Sequence, residues 1–355
     1  MHRVMVQRAS YDNCREAVER AFELFCLDVK GKKVLVKPNA IRASDPEEGI
    51  VTHPALVRAV VDSLEELSAA EIVVGDNPGM DCYGANEATF SQTGLMEASK
   101  GYYRNIGSEA VELGFAPKFL DVVPVSRAVL DADVFISVPK FKTHGLTVIT
   151  GAIKNSYGII PGASKAKLHR IAGNALRFSE VLVNVYSLRI PDLFIVDAVV
   201  GMEGNGPASP DLRKIDRVLA SDNGVALDAV MARMMGLDPA AVPLLDIARL
   251  HGLGDYDPAT IEIVGDLEPI PDFKVVPIME EATQTPTGME ESYLERIRVR
   301  PKADETLCTS CGTCVDQCPV SALSMIDGLP TVDPELCIAC FCCQEICPEM
   351  AIKLG

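Results

Sequence analysis

Over the first 270 residues, short apolar runs alternate with longer amphipathic ones. Lys33–Lys37 (KVLVK), Glu71–Gly75 (EIVVG), Asp133–Val138 (DVFISV), Leu193–Asp197 (LFIVD), Val218–Ser221 (VLAS) and Ile261–Val264 (IEIV) predict β-strands. Several are apolar almost throughout, as expected for strands covered on both faces. Pro54–Leu67 behind Thr52, and Gly224–Met235 behind Asp222 and Asn223, predict helices with side-chain caps. This alternation predicts an α/β domain over 1–270, with an open, mostly parallel sheet and flanking helices. From 271 to 300 the pattern dissolves into polar residues, including Glu280, Glu281, Thr283, Thr285, Glu290 and Glu291, and reads as a linker or surface excursion. Residues 301–355 read as a second unit, built from two copies of one motif.

Cysteine usage explains that second unit. The chain has 355 residues and 12 cysteines, nine of them between Cys308 and Cys347. No basic stretch with an apolar run follows Met1, and no apolar run approaches the roughly 20 residues of a membrane span. The expected location is therefore cytoplasmic, where thiols stay reduced and a dense cysteine array signals metal rather than disulfides. Cys308-x2-Cys311-x2-Cys314-x3-Cys318-Pro319 is followed by Cys337-x2-Cys340-x2-Cys343-x3-Cys347-Pro348. That spacing is the bacterial-ferredoxin signature for two [4Fe–4S] clusters. Three cysteines at two-residue intervals wrap three corners of one cube, and the fourth points away to the other. Cluster one is thus assigned Cys308, Cys311, Cys314 and Cys347, and cluster two Cys337, Cys340, Cys343 and Cys318. Two structural zinc sites are the alternative, but paired knuckles fit this even spacing poorly. Cys342 fits no ligand position and is expected to pack beside cluster two. Cys14, Cys26 and Cys82 read as small buried hydrophobes. A bacterial-ferredoxin-like α+β domain of this size has little core, so the metal is expected to hold it together.

The formal net charge of −17 argues against nucleic-acid binding and membrane insertion. Yet Val134–Ser179 contains no Asp or Glu, while carrying Lys140, Lys142, Lys154, Lys165, Lys167, Arg170, Arg177, His144 and His169. Lys140, Lys142 and His144 follow a predicted strand at its carboxyl end, where open α/β sheets bind ligands. Two readings follow: a cationic pocket for an anionic substrate, or a basic face that docks the acidic cysteine-rich segment of the same chain. Other strand ends supply Lys37 and Asn39, Asp76, Asp197, and Glu203 with Asn205. The candidate substrate-binding residues are Lys37, Asn39, Asp76, Lys140, Lys142, Lys154, Asn155, Glu203 and Asn205, with His144 and Lys142 as candidate catalytic groups. Neither G-x-G-x-x-G nor a P-loop occurs. Asp76, Asp197, Glu203 and Asp222 could hold a hard cation, although their spacing does not require it.

Lys37-Pro38-Asn39, Gly75-Asp76-Asn77-Pro78-Gly79, Pro139–His144 (PKFKTH), Thr150–Asn155 (TGAIKN) and Met202–Pro207 (MEGNGP) resemble, in order, the motifs of domain-of-unknown-function family 362. Many members of that family carry a two-cluster ferredoxin, so the resemblance implies the same architecture here. Lys154 through Gly162, with Lys165, is similar to the lysine- and glycine-rich segment of nickel-dependent lactate-racemase-like proteins. The resulting expectation is an iron–sulfur redox protein of anaerobic metabolism, an oxidoreductase if it is an enzyme. It would carry low-potential electrons to a redox partner protein or to an anionic substrate on the α/β domain. The alternatives are a docking module that presents a ferredoxin to a larger oxidoreductase, and a non-redox enzyme with structural clusters.

Overall fold

The computed structural model describes residues 1–79, 84–276 and 300–354. Cys82 and most of the polar run between the two units lie outside the described residues. Strands β1 (His2–Arg8), β2 (Lys33–Pro38) and β3 (Glu71–Val74) are followed by a separate hairpin of β4 (Ala110–Gly114) and β5 (Val122–Ser126). Then come β6 (Val134–Val138), β7 (Lys140–His144), β8 (Val148–Thr150), β9 (Leu193–Met202), β10 (Leu212–Ser221) and β11 (Ile261–Gly265). The sheet order is β11-β1-β10-β9-β6-β2-β3, with β7 beside β9 and β8 beside β7. Strands β9, β6, β2 and β3 run parallel, as do β1 and β11; β10 is antiparallel to both its neighbours. The expected α/β class and mostly parallel sheet are therefore present, with two antiparallel strands, β8 and β10, that periodicity does not reveal.

Both faces of the sheet are covered, which is why the strands are apolar at consecutive positions. Val34, Val36, Ile136 and Ile195 share one core with Val18 and Val57, from the helices Cys14–Phe25 and Pro54–Glu66. Leu35, Phe135, Phe194 and Val196 point the other way, to Val181 and Val225 of the helices Ala175–Leu188 and Gly224–Met234. Asn223 caps its helix as expected, accepting from Ala226 N at 3.0 Å. Thr52 does not cap. Its buried hydroxyl donates to Val138 O at 2.6 Å and accepts from Asn39 N at 2.8 Å, tying the end of β2 to that of β6. His53 Nδ1 accepts from Ala55 N instead. Cys14 is buried as expected; Cys26 is exposed, at a left-handed residue closing its helix.

Lys140–His144 departs most from expectation. It forms the fully buried strand β7 rather than a loop after a strand. Three ionisable residues at alternate positions conceal a strand from any apolar-pattern reading.

In the cysteine-rich unit, β12 (Pro301–Ala303) pairs with β15 (Ile352–Leu354) and β13 (Leu323–Ile326) with β14 (Leu329–Val332), both antiparallel. The repeat is visible in the backbone. Left-handed residues recur at equivalent positions of the two halves, Ser310 and Ala339, Gly312 and Phe341, Ser321 and Met350. Outside glycine such residues cost energy and persist only where a tight loop demands them. The second half is set into the α/β domain: Ala339 and Phe341 belong to the main core, where Leu354 packs against them.

One buried carboxylate positions the helix that later supplies the site. Asp228 accepts Ala152 N at 2.6 Å and Ile153 N at 3.1 Å, stapling the first turn of Ala152–Asn155. A Cβ on Gly151 would lie 2.0 Å from Asp228 Oδ1, so this close approach requires glycine. Burial, opposed by the two N–H bonds, pushes the Asp228 carboxyl up to about 7. A folded pKa above the unfolded one means the native state holds more protons between about pH 4 and about pH 7, so this group's contribution shrinks as pH rises. His144 and His169, lowered by burial to about 3 and about 4, act oppositely and cost stability as pH falls through 6.5. Asp228→Asn removes the opposing group. Between about pH 8 and about pH 6 the variant should lose about 1–2 kcal/mol more stability than the native chain in urea melts. Parallel pH profiles for the two proteins would refute the assignment.

Candidate functional site

A cavity of about 80 Å³ lies at the carboxyl ends of β2 and β3, where the α/β domain meets the cysteine-rich unit. Lys37, Asn39, Asp76, Asn77, Lys154, Asn155, Tyr157, Gly158, Lys165 and His169 line it from one side, and Gln317, Cys342, Glu345 and Ile346 from the other. Parallel strands end in loops free of ladder hydrogen bonding, so their side chains can converge on a ligand.

The cavity floor is a closed polar network. Lys37 Nζ contacts Asp76 Oδ1 at 2.7 Å, both side chains almost fully buried, and donates to Pro38 O and Asn155 Oδ1. Burial pulls the Lys37 ammonium below its ordinary value, and Asp76 opposes that pull. Asp76 also accepts Ala40 N and Asn77 N, so both its oxygens are engaged. A Cβ at Gly158 would stand 2.0 Å from Asp76 Oδ1 and 2.6 Å from Lys37 Nζ, so glycine is needed for the pair to sit against the backbone. Lys165 Nζ donates to Asn77 O at 2.5 Å and Pro78 O at 2.6 Å; burial lowers it to about 8.

Lys154 behaves differently. It has no hydrogen-bond or ion-pair partner among the described residues, and it is half-buried. Its charge acts on Glu345, His144, His169 and Lys165. Burial would raise the Glu345 carboxyl, but Lys154, His144 and His169 outweigh it and hold Glu345 below the usual carboxylate range. His144 Nδ1 accepts Leu146 N at 3.0 Å and Thr147 N at 3.3 Å, which puts the ring proton on Nε2. Nε2 donates to Glu345 Oε1 at 2.7 Å, across 201 residues of chain.

Of the residues nominated from sequence, Lys37, Asn39, Asp76, Lys154 and Asn155 line the cavity. The other nominated residues stand elsewhere. Lys140 is buried with Asp197 at 2.8 Å and Tyr11 at 3.0 Å. Lys142, which burial drives well below its ordinary pKa, donates to Ile50 O at 2.6 Å. His144 lies behind Glu345, both ring nitrogens engaged, so it touches the cavity only through that carboxylate. Glu203 pairs with Arg213, and Asn205 O accepts from Gln344 Nε2 at 2.8 Å. Among the described residues no three His, Cys, Asp or Glu side chains converge on a single metal ion, so the four strand-end carboxylates form no cation site. Lys165 and His169, both from the acid-free stretch, line the cavity as well. Gln317, Cys342 and Glu345 carry no local signal.

The cysteines of the second unit stand in neighbouring groups. Cys308, Cys311, Cys314 and Cys347 line one surface depression with Met325, Pro330 and Glu349. Burial and then the nearby Cys347, Cys311 and Cys308 push the Cys314 thiol up to about 11. Cys343 is raised by burial and by Cys340, Cys314, Cys318 and Cys337. An all-thiol ligand set is the one that [4Fe–4S] clusters take. The fourth cysteines are equivalent: Ala322 N donates to Cys318 Sγ at 3.2 Å and Ala351 N to Cys347 Sγ at 3.3 Å. Cys342 occupies the position of Thr313 in the other half. Cys311 Sγ lies 3.5 Å from Thr313 Oγ1, and Cys342 stands beside Cys340 at the equivalent place. The ninth cysteine therefore packs beside the second array, and it also faces the cavity.

Residues 34–233 match the family described as "Domain of unknown function (DUF362)", and residues 300–348 match a 4Fe-4S dicluster domain. The chain is 32% identical over 235 residues to a thylakoid-associated protein of Synechocystis, covering 63% of this chain and 69% of that one. A Thermotoga maritima protein of known structure superposes with a TM-score of 0.41 at 15% identity, over 68% of this chain. The lactate racemase apoprotein of Thermoanaerobacterium thermosaccharolyticum superposes at 0.40 and 12%, over 62%. The chain spans 59% and 53% of those two structures.

Proposed function

The chain belongs to the DUF362 family and carries a 4Fe-4S-binding domain, and from that premise we propose that it is an iron–sulfur redox protein. In this reading it delivers low-potential electrons to a partner protein, or to an anionic substrate held between its two units. One observation carries the reading: residues next to the second cysteine array, Cys342 and Glu345, wall the cavity that Lys37, Lys154 and Lys165 line. Cys308, Cys311, Cys314 and Cys347 would hold one cluster, and Cys337, Cys340, Cys343 and Cys318 the other. When bound, two [4Fe–4S] clusters supply one-electron transfer at potentials tuned by N–H···S bonds and burial. The chain's own groups would do the rest. Lys154 would meet the anion. Lys37 and Lys165, tied to Asp76 and to backbone carbonyls, would hold the wall in shape. His144 would orient Glu345. The α/β domain is assigned 1–270, the connection 271–300 and the cluster domain 301–355. Among the described residues no helix is long and apolar enough to cross a membrane; the cytoplasm is the proposed location.

Reduction of anaerobically purified protein with titanium(III) citrate, followed by mixing with a panel of small carboxylates, tests this. At least one carboxylate should speed cluster reoxidation, and Lys154→Ala should lose that acceleration with iron and sulfide content unchanged. Acceleration that survives Lys154→Ala, or clusters that cannot be reduced, would overturn the reading.

A further inference from the structure

The cavity contains groups that the fold leaves unsatisfied, and together they describe a ligand. Asn155 Nδ2 faces Lys37 O and donates to Ser137 Oγ at 2.9 Å, so its Oδ1 is the atom that accepts from Lys37 Nζ and from Asn39 Nδ2 at 3.2 Å. That sequence of bonds fixes the orientation of the Asn39 amide as well. Its Oδ1 is consequently a buried acceptor with no donor among the described residues, on a side chain 7% exposed. An acceptor left in this state costs about 1–3 kcal/mol, which a donor arriving with a ligand would recover. His169 Nδ1 is a second buried atom without a partner among the described residues, on a ring stacked 3.9 Å from Phe178. Lys154 is the third unsatisfied group, and the only one of the three that is charged.

Charge and size narrow the class. Three lysines, Lys37, Lys154 and Lys165, face two carboxylates, Asp76 and Glu345, leaving one positive charge in excess. That balance suits a monoanion. The donor that meets Asn39 must be neutral, because Lys37 and Asn39 share Asn155 Oδ1 and an ammonium there would stand beside another ammonium. A cavity of about 80 Å³ has room for a few heavy atoms on a scale where one water needs about 10–15 Å³.

We propose that the cavity binds a compact, singly charged oxyanion that carries its own O–H, with its charge against Lys154 and its hydroxyl donating to Asn39 Oδ1. Bicarbonate and the smallest hydroxycarboxylates share this chemistry. The proposal rests on the cavity being the substrate site, and does not depend on electron transfer.

Titration calorimetry on oxidised, cluster-loaded protein tests it with acetate, glycolate, methoxyacetate and bicarbonate. Glycolate should bind about tenfold more tightly than acetate, the value of one hydrogen bond to a buried acceptor. Methoxyacetate, which lacks the O–H, should bind no better than acetate. Asn39→Leu should erase the preference for glycolate, and Lys154→Met should abolish binding of every probe. Bicarbonate binding as tightly as glycolate assigns the site to the smaller oxyanion; weaker binding assigns it to the hydroxycarboxylate. Equal affinities for glycolate and acetate, tight binding of methoxyacetate, binding that survives Lys154→Met, or no binding by any probe would overturn the proposal. The methoxyacetate comparison needs no variant, so it stands if Asn39→Leu fails to fold. Because no electron moves in this titration, its failure is separable from failure of the redox reading.

Discussion

Replacing Phe341 by alanine should cost about 3–5 kcal/mol and loosen the cluster domain from the α/β domain. Phe341 is the single aromatic residue of 301–355, and it is buried in the core of the other unit. It also sits at a left-handed φ of 58° and precedes the short helix Cys342–Glu345, which brings Cys342 and Glu345 to the cavity. Alanine keeps the Cβ, so the backbone strain remains and only the ring is lost. Glycine at the same position should be about 1 kcal/mol less damaging than alanine, because it adopts a left-handed φ without penalty. Urea melts give the energies, and limited proteolysis near residue 300 should accelerate in step with them. A loss below about 1 kcal/mol for Phe341→Ala would mean that the ring does not anchor the two units.

Cys347→Ala should remove about four of eight iron atoms, and the double variant Cys311→Ala/Cys347→Ala should remove no more than that. Crossed ligation predicts this non-additivity because Cys347 and Cys311 hold the same cube; both line the same depression with Cys308 and Cys314. Combining Cys347→Ala with Cys340→Ala should instead remove nearly all the iron. Iron and sulfide analysis, with EPR of the reduced protein, checks both pairs. If the Cys311 pairing removed all the iron and the Cys340 pairing spared half, each run would hold its own cluster. Serine in place of alanine offers an oxygen ligand and provides a milder series should the alanine variants fail to fold.

Strands β2, β3 and β6 were legible from their sequences because burial on both faces leaves a nearly uninterrupted apolar run. β7 was not, because its Lys140, Lys142 and His144 are paired by partners distant in sequence: Asp197, the Ile50 carbonyl and Glu345. The acid-free stretch had two competing explanations, a ligand pocket and a docking face, and the fold contains elements of both. His144 receives Glu345 of the cluster domain, while Lys154, ten residues on, has no partner among the described residues and lines the cavity.

By itself the sequence determined the α/β class, the cysteine-rich second unit and the spacing that matches a 4Fe-4S dicluster domain. Each of these is encoded locally, in a repeating apolar period or in the spacing that wraps a cube. Tertiary structure alone decided which lysines remain available to a ligand. Lys140, Lys142 and Lys154 look alike along the chain, and the difference between them is whether a carboxylate or carbonyl from elsewhere reaches the ammonium group. It also decided that Cys342 and Glu345 complete the cavity, because Phe341 buries itself in a core assembled some 200 residues earlier in the chain. A buried charge or an unpaired carbonyl is defined by what surrounds it in space, and that information exists only once the chain has folded.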